Sequence, residues 1–129
     1  MTYMAKDFTK WHKLKSRLDS RQGTASFNER EIWWCSAGMN IGNETDGKNE
    51  YFERPMLIIR KLSREIFWAM PLTTRIRKGR FYYTFMYKKS QQTVILSQLK
   101  ALSWKRLQRP MGKIDPQIFR EIKRAAGVV

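Results

Sequence analysis

The sequence has 129 residues and carries 26 Lys and Arg against 11 Asp and Glu, a formal net charge of +15. Hydrophobic residues make up 42% of it, which fits one folded domain and argues against a disordered protein. One cysteine, Cys35, excludes an internal disulfide framework, and one histidine, His12, leaves no His and Cys set for zinc. No membrane-length apolar run or secretory segment is visible, so we expect a cytoplasmic protein that does not enter a membrane.

The positive charge is unevenly distributed along the chain. Residues 31–54 hold more acidic than basic side chains, whereas residues 55–129 are strongly basic. A body this basic attracts polyanions, of which nucleic acid is the commonest. The alternative is a charged surface that serves only solubility. An anionic membrane surface is less favoured, because the basic residues do not follow one amphipathic helix.

The N-terminal segment has the periodicity of a helix. Its apolar residues recur at spacings of three and four: Phe8, Trp11, Leu14 and Leu18. This pattern predicts a helix over about 7–20, with Asp7 as its N-cap. The polar segment 20–26 follows as a linker. We therefore predict an N-terminal helical arm and linker at 1–28, and a barrel domain at 29–129.

The remainder of the chain has the pattern of a small β protein. Short runs rich in β-branched and aromatic residues predict five strands, at 31–35, 56–60, 66–70, 81–87 and 93–96. At this size such strands close most readily into a strongly curved barrel. A long polar loop at 38–54 separates the first two strands, and loops of this kind tend to be functional or mobile. Asp115 and Pro116 predict the start of a C-terminal helix that runs to about 126.

A basic turn leads into an aromatic strand. The turn residues are Arg75, Arg77, Lys78 and Arg80. Strand alternation predicts that four of the aromatic residues face the core: Phe81, Tyr83, Phe85 and Tyr87. Tyr82 is then left as a platform on which a base can stack, beside a turn that follows a nucleic-acid backbone.

Few residues are suited to catalysis. His12 lies in the basic helix, and nothing places it beside Cys35, so a nucleophilic triad is not supported. Glu44 and Asp46 could hold Mg²⁺ as a loop pair, but two carboxylates in a loop are a weak signal. Phosphoryl transfer without metal is the remaining option, because RNA supplies its own 2′-OH nucleophile. Arg54 and Thr73 are the residue types that bind phosphate oxygens in such a site.

Six short segments, in order, resemble the MazF/PemK toxins of bacterial toxin–antitoxin modules. They are residues 31–34, 42–44, 54–59, 71–74, 94–99 and 107–112. The resemblance covers about residues 30–124. It implies an SH3-like small β-barrel of the MazF/PemK/CcdB type with a C-terminal helix, here with an extra N-terminal helix, and usually a homodimer. It further implies a ribonuclease that cuts single-stranded RNA without metal or cofactor, leaving a 2′,3′-cyclic phosphate and a 5′-hydroxyl.

The resemblance also assigns roles to three residues. Arg54 matches the family's catalytic arginine before proline, which stabilises charge on the phosphorane and is a candidate proton donor to the leaving 5′ oxygen. Thr73 matches the hydroxyl that holds a phosphate oxygen, and Glu44 matches the acid of the G-x-E loop, a candidate base for the 2′-OH. Two positions depart from the family: Ser97 stands where several members have aspartate, and Glu53 where some have histidine.

The expected partners are single-stranded RNA and a small acidic antitoxin. The residues predicted to bind RNA are Lys48, Arg75, Arg77, Lys78, Arg80, Tyr82 and Gln98. The alternative reading is a non-catalytic barrel of the same shape, either a nucleic-acid-binding module or a gyrase-poisoning toxin.

Overall fold

The computed structural model describes residues 6–38, 47–49 and 51–128. Within these residues two helices, α1 (Phe8–Asp19) and α2 (Pro116–Ala126), flank seven strands. The strands are β1 (Glu31–Ser36), β2 (Glu53–Lys61), β3 (Ile66–Thr73), β4 (Tyr82–Tyr87), β5 (Ser90–Ile95), β6 (Lys100–Ser103) and β7 (Leu107–Lys113). No helix in these ranges is long and apolar enough to cross a membrane.

The strands form one antiparallel sheet that curls on itself. Its hydrogen-bonded order is β4-β5-β3-β2-β1-β7, with β6 added to β3. The end strands β4 and β7 share no backbone ladder within the described ranges. Side chains at the end of β4 instead contact the backbone of β7. The Tyr87 hydroxyl and the Lys88 ammonium both donate to the Met111 carbonyl, at 3.4 and 3.3 Å. The predicted mainly β fold with terminal helices is confirmed, but the predicted closure into a barrel is not: within the described ranges β4 and β7 meet only through these side-chain hydrogen bonds.

The sheet is buried on both faces along its central strand β2. Alternate residues point to opposite sides of a strand, and here both sides are apolar. Leu57 and Ile59 join a core closed by Phe119 and Ile122 of α2. Met56 and Ile58 pack in a second core with Phe27, Phe67 and Trp104, among others. Burial on two faces fixes the position of β2, and with it the residues at its start.

Helix α1 packs against the barrel through an apolar stripe. Trp11, Leu14 and Leu18 are buried in a cluster with Phe52, just before β2. The Trp11 indole lies so close to Gly38 that a Cβ there would come within 2.3 Å of the ring. The arm therefore contacts the barrel at both ends of the β1–β2 connection.

The linker after α1 is also held in place. The Arg21 guanidinium donates to the carbonyls of Lys105 and Leu107, at 2.9 and 2.8 Å. Phe27 at the end of the linker is fully buried, with its ring 5.0 Å from that of Phe67. These contacts fix the point at which the chain enters β1.

Both predicted helices are confirmed together with their caps. The Asp7 carboxylate accepts from the Lys10 amide at 2.9 Å, and the Asp115 carboxylate accepts from the amides of Gln117 and Ile118. Pairing between carboxylate and orphan amides is what makes aspartate a good first residue of a helix.

The five predicted strands overlap β1 to β5, whereas β6 and β7 were not predicted. Strand β6 has only four residues, and Pro110 and Gly112 interrupt the pattern of β7. Phe81 was predicted to lie in the core, and this was wrong. It precedes β4 and is 50% exposed, with the Arg80 guanidinium 4.8 Å from its ring centroid. Phe85 is buried as expected, and Tyr83 and Tyr87 are half-buried.

Trp11→Ala tests whether the arm is a structural part of the domain. We expect a loss of about 3 kcal/mol in the free energy of unfolding, because a buried indole leaves a cavity. Phe8→Ala on the same helix is the matched control, since Phe8 is 51% exposed, and it should change stability by at most about 0.5 kcal/mol. Denaturant unfolding measures both, and equal effects would contradict a docked arm.

Candidate active site

The candidate site forms where β3 leaves β2. The two strands pair in a constant register from Ile58↔Ala69 to Met56↔Pro71. Two residues further, the same register would place Thr73 opposite Arg54. Instead β3 turns to β5, with Leu72↔Val94 and Thr73↔Thr93 as its last pairs. Pro71 has no N–H with which to extend the ladder, which suits the last paired position.

The separation of the two strands opens a cleft of about 390 Å³. Its lining comes from β1, β2, β3, β5 and β7 and from the turn before β2. The lining residues are Trp34, Lys48, Asn49, Glu53, Arg54, Pro55, Leu72, Thr73, Thr74, Gln92 and Met111. Apolar side chains thus form part of the walls, with an arginine, a lysine and two threonine hydroxyls among them.

Arg54 and Thr73, which come from two distant segments of the chain, line the same cleft. Both side chains are half-buried. Strand β1 supports Arg54 through the pair Cys35↔Arg54, and β5 supports Thr73. The Thr73 hydroxyl accepts a hydrogen bond from the Arg75 amide at 3.2 Å, so its own proton is available to a group in the cleft.

A buried acid precedes Arg54 in the chain, and both its carboxylate oxygens accept hydrogen bonds. Glu53 is only 2% exposed, and Nη1 of Arg109 donates to both its carboxylate oxygens, at 2.8 and 2.9 Å. The Asn49 side-chain amide donates to the same carboxylate at 3.0 Å. The Arg109 guanidinium in turn lies 4.9 Å from the ring centroid of Trp34. These contacts connect β7, β2 and the cleft wall.

The turn before β2 brings further polar groups to the cleft. Lys48 and Glu53 exchange two backbone hydrogen bonds of 2.8 Å each. Asn49 adopts a φ of 65°, which asparagine tolerates better than most residues. Lys48 is exposed and adds positive charge at the cleft.

The sole cysteine is not a nucleophile in this fold. Cys35 is fully buried, and burial raises the pKa of its thiol far above the usual range. The thiol is therefore neutral at physiological pH. Across the described ranges, no three His, Cys, Asp or Glu residues group closely enough to hold a metal ion.

A family model described as "PemK-like, MazF-like toxin of type II toxin-antitoxin system" matches residues 28–129. The chain belongs to this family. The matched region begins just after Phe27, so α1 lies outside it. Among curated protein sequences none matches this chain.

Solved structures of MazF proteins share the fold. MazF from Deinococcus radiodurans has a TM-score of 0.65 at 19% identity, covering 80% of this chain and 94% of its own. A mycobacterial endoribonuclease in complex with its cognate antitoxin has a TM-score of 0.59 at 17% identity, covering 79% and 92%. The Mycobacterium tuberculosis toxin MazF-mt6 has a TM-score of 0.53 at 15% identity, covering 78% and 99%.

The residues predicted for catalysis and for RNA binding fall into three groups. Arg54, Thr73 and Lys48 line the cleft, whereas Glu44 lies outside the described residues. The remaining predicted RNA-binding residues do not line it. Tyr82 and Gln98 are half-buried elsewhere, and the basic turn of Arg75, Arg77, Lys78 and Arg80 is exposed. This turn leaves the cleft directly after Thr74, so its four cations begin at the rim.

Several lining residues were missed by sequence reasoning. Trp34, Pro55 and Thr74 belong to the family segments, so the signal was present but was not assigned to the site. Gln92 and Met111 reach the cleft only through long-range strand pairing, which leaves no local signal. Arg109 was missed for the same reason, because its pairing with Glu53 joins segments far apart in the chain.

A double-mutant cycle with Glu53→Gln and Arg109→Gln tests the buried ion pair. We expect a coupling free energy of about 1–2 kcal/mol, since loss of Arg109 leaves the buried Glu53 carboxylate with fewer donors, while the 54% exposure of the Arg109 side chain weakens the effect. The exposed pair of Lys10 and Asp7, at 3.8 Å, is the control and should give at most about 0.5 kcal/mol. Equal couplings in denaturant unfolding would show that the buried position of Glu53 has no consequence.

Proposed function

We propose that this MazF/PemK toxin is an endoribonuclease that cleaves single-stranded RNA in the cleft of Arg54 and Thr73. The convergence of these two side chains on one cavity is the observation that carries the proposal. Family membership supports it, as does the structural similarity to a mycobacterial endoribonuclease. The net charge of +15 supplies the attraction for an anionic chain.

The proposed reaction uses the nucleophile of the substrate. The ribose 2′-oxygen attacks the adjacent phosphorus, loses its proton to a base, and forms the 2′-O–P bond. The P–O5′ bond breaks, and the leaving 5′-oxygen takes up a proton, for which the family resemblance makes Arg54 the candidate donor. The products are a 2′,3′-cyclic phosphate and a 5′-hydroxyl, with no water and no metal consumed.

Arg54 and Thr73 stabilise the charge that develops on the phosphorus. The guanidinium donates two parallel hydrogen bonds to non-bridging oxygens, and its positive charge offsets the charge of the phosphorane. The Thr73 hydroxyl is the acceptor in its hydrogen bond with the Arg75 amide, so its own proton can be donated to a phosphate oxygen. Groups fixed in advance by strand pairing need no reorganisation when the charge appears.

The base is assigned to Glu44 by the family resemblance, and this remains a proposal. Glu53 is nearer to Arg54 in sequence, but it is a poor candidate. Its carboxylate already accepts hydrogen bonds from Arg109 and Asn49 and is almost completely buried. We therefore assign Glu53 to holding the site together.

We also propose an acidic antitoxin as the protein partner, a homodimer as the assembly, and the cytoplasm as the location. The relatives solved with antitoxins support the first proposal. Exposed apolar side chains support a self-association surface, and they include Ile76 at 63%, Phe81 at 50% and Met86 at 61%. A tail of acidic residues would bind the basic surface by charge complementarity and order on binding.

Cleavage of a defined RNA in the presence of EDTA tests the proposal. Arg54→Ala should lower the cleavage rate by about 10²–10³-fold, the usual cost of removing one charge-stabilising donor. Thr73→Val should reduce it less, because it removes a neutral donor. Arg60→Ala, further along β2 and exposed, is the matched control and should keep nearly full activity.

The ends of the cleavage products identify the chemistry. A 2′,3′-cyclic phosphate and a 5′-hydroxyl are expected, and RNA with a 2′-O-methyl group at the cut site should resist. Cleavage that survives Arg54→Ala, or that EDTA abolishes, would overturn this mechanism. Growth inhibition that persists in Arg54→Ala together with blocked DNA supercoiling would favour a gyrase-poisoning toxin.

A further inference from the structure

A second cavity lies between α1 and the short 3₁₀ turn Trp104–Arg106 that precedes β7. Its volume is about 190 Å³. The lining residues are Lys15, Leu18, Asp19, Ser103, Lys105 and Arg106. Three of them are cationic, and the cavity exists only because α1 is docked against the barrel.

Arg106 has no carboxylate partner among the residues that the structure describes. Its guanidinium lies 5.6 Å from the ring centroid of Trp11 and donates to the Ser36 carbonyl at 3.0 Å. Within the described part of the chain it forms no ion pair. Burial lowers its pKa, and the nearby Cys35 thiol is neutral. An arginine held in this way, partly desolvated and without a counter-charge, is stabilised by binding an anion.

The two lysines add donors to the same cavity. Lys105 donates one hydrogen bond to the Asp19 carbonyl at 2.7 Å, and its ammonium has two more protons to give. Lys15 is exposed and makes no hydrogen bond or ion pair with any described residue. Asp19 is the one acid in the lining, and its exposed carboxylate pairs with none of the three cations in the described ranges. The cavity therefore has a net positive charge.

The cavity and the cleft are both linked to the strand pair Ser36 and Glu53. Arg106 contacts Ser36 of β1, and Ser36 is the register partner of Glu53, which lines the cleft. Trp11, beneath the Arg106 guanidinium, also packs with Phe52. The two cavities are therefore connected through one buried pair of strand residues, Ser36 and Glu53.

We propose that the cavity of Lys15, Lys105 and Arg106 binds a backbone phosphate of the RNA whose scissile phosphate lies in the cleft. This inference rests on the proposed function and adds a binding role for the N-terminal arm. Arginine donors match phosphate oxygens as a fork, and lysines complete the charge. A small cavity with converging cations suits one compact tetrahedral anion better than the spaced carboxylates of an acidic peptide.

Binding of a long 2′-O-methyl RNA, which is not cleaved, tests the proposal. Lys15→Gln with Lys105→Gln should weaken binding and lower the slope of log K against log salt by about 0.7 for each lost phosphate contact. Fluorescence anisotropy between about 50 and 200 mM salt gives this slope. A short RNA that fills only the cleft should bind the wild-type protein and this double variant with equal affinity.

The matched control is Lys13→Gln with Arg17→Gln, on the opposite flank of α1. It also removes two positive charges, both from α1, and the two side chains are exposed. The control should keep the wild-type slope. Equal losses in the two double variants, or no loss in either, would overturn the proposal. The proposal would also be overturned if Lys15→Gln with Lys105→Gln weakened binding to poly-glutamate but not to RNA. That result would assign the cavity to an acidic protein.

Cleavage of the short RNA separates this proposal from the proposed function. If Lys15→Gln with Lys105→Gln lowers the slope on long RNA as predicted but the wild-type protein cuts no RNA, the endoribonuclease proposal fails and the phosphate site stands. If short RNA is cut at equal rates by the wild type and both double variants, while the long RNA shows no difference in slope, only the phosphate site fails.

Discussion

The end of the β2–β3 ladder at Met56↔Pro71 is the constraint on which the site depends. Antiparallel pairing brings the start of β2 and the end of β3 to the same edge of the sheet. If the ladder continued, Arg54 and Thr73 would be neighbours in a closed sheet with no room for a ligand. Because β3 turns to β5 at Leu72, the two residues line a cleft instead. A break in regular pairing thus creates a binding site from two ordinary strands.

The surrounding structure keeps this break in place. The central strand β2 is fixed by cores on both faces, and β1 continues to pair with it as far as Glu53. The buried Glu53 carboxylate joins β2 to β7 through Arg109 and to the preceding turn through Asn49. Helix α1 then packs on Phe52 and Gly38 from outside. The cleft is therefore supported by both cores, by β1, by β7 and the preceding turn, and by α1, which lies outside the region that matches the family.

The sequence predicted what is encoded locally. Apolar spacing and the capping residues Asp7 and Asp115 defined both helices, and five β-rich runs located β1 to β5. It failed where structure depends on distant partners: Pro110 and Gly112 conceal β7, and Phe81 precedes its strand and faces solvent. For the site, the family segments proposed Arg54 and Thr73, which line one cleft, but nothing local marks Gln92, Met111 or the pairing of Arg109 with Glu53. Tertiary pairing alone brings those groups together.

The central claim is that Arg54 and Thr73 hold one phosphate between them. A crystal structure with a 2′-O-methyl RNA that contains the cleaved sequence tests this claim most directly. The account predicts a backbone phosphate in the cleft, within hydrogen-bonding distance of the Arg54 guanidinium and the Thr73 hydroxyl. Bound RNA whose phosphates avoid both groups, with the cleft left empty of RNA, would contradict it.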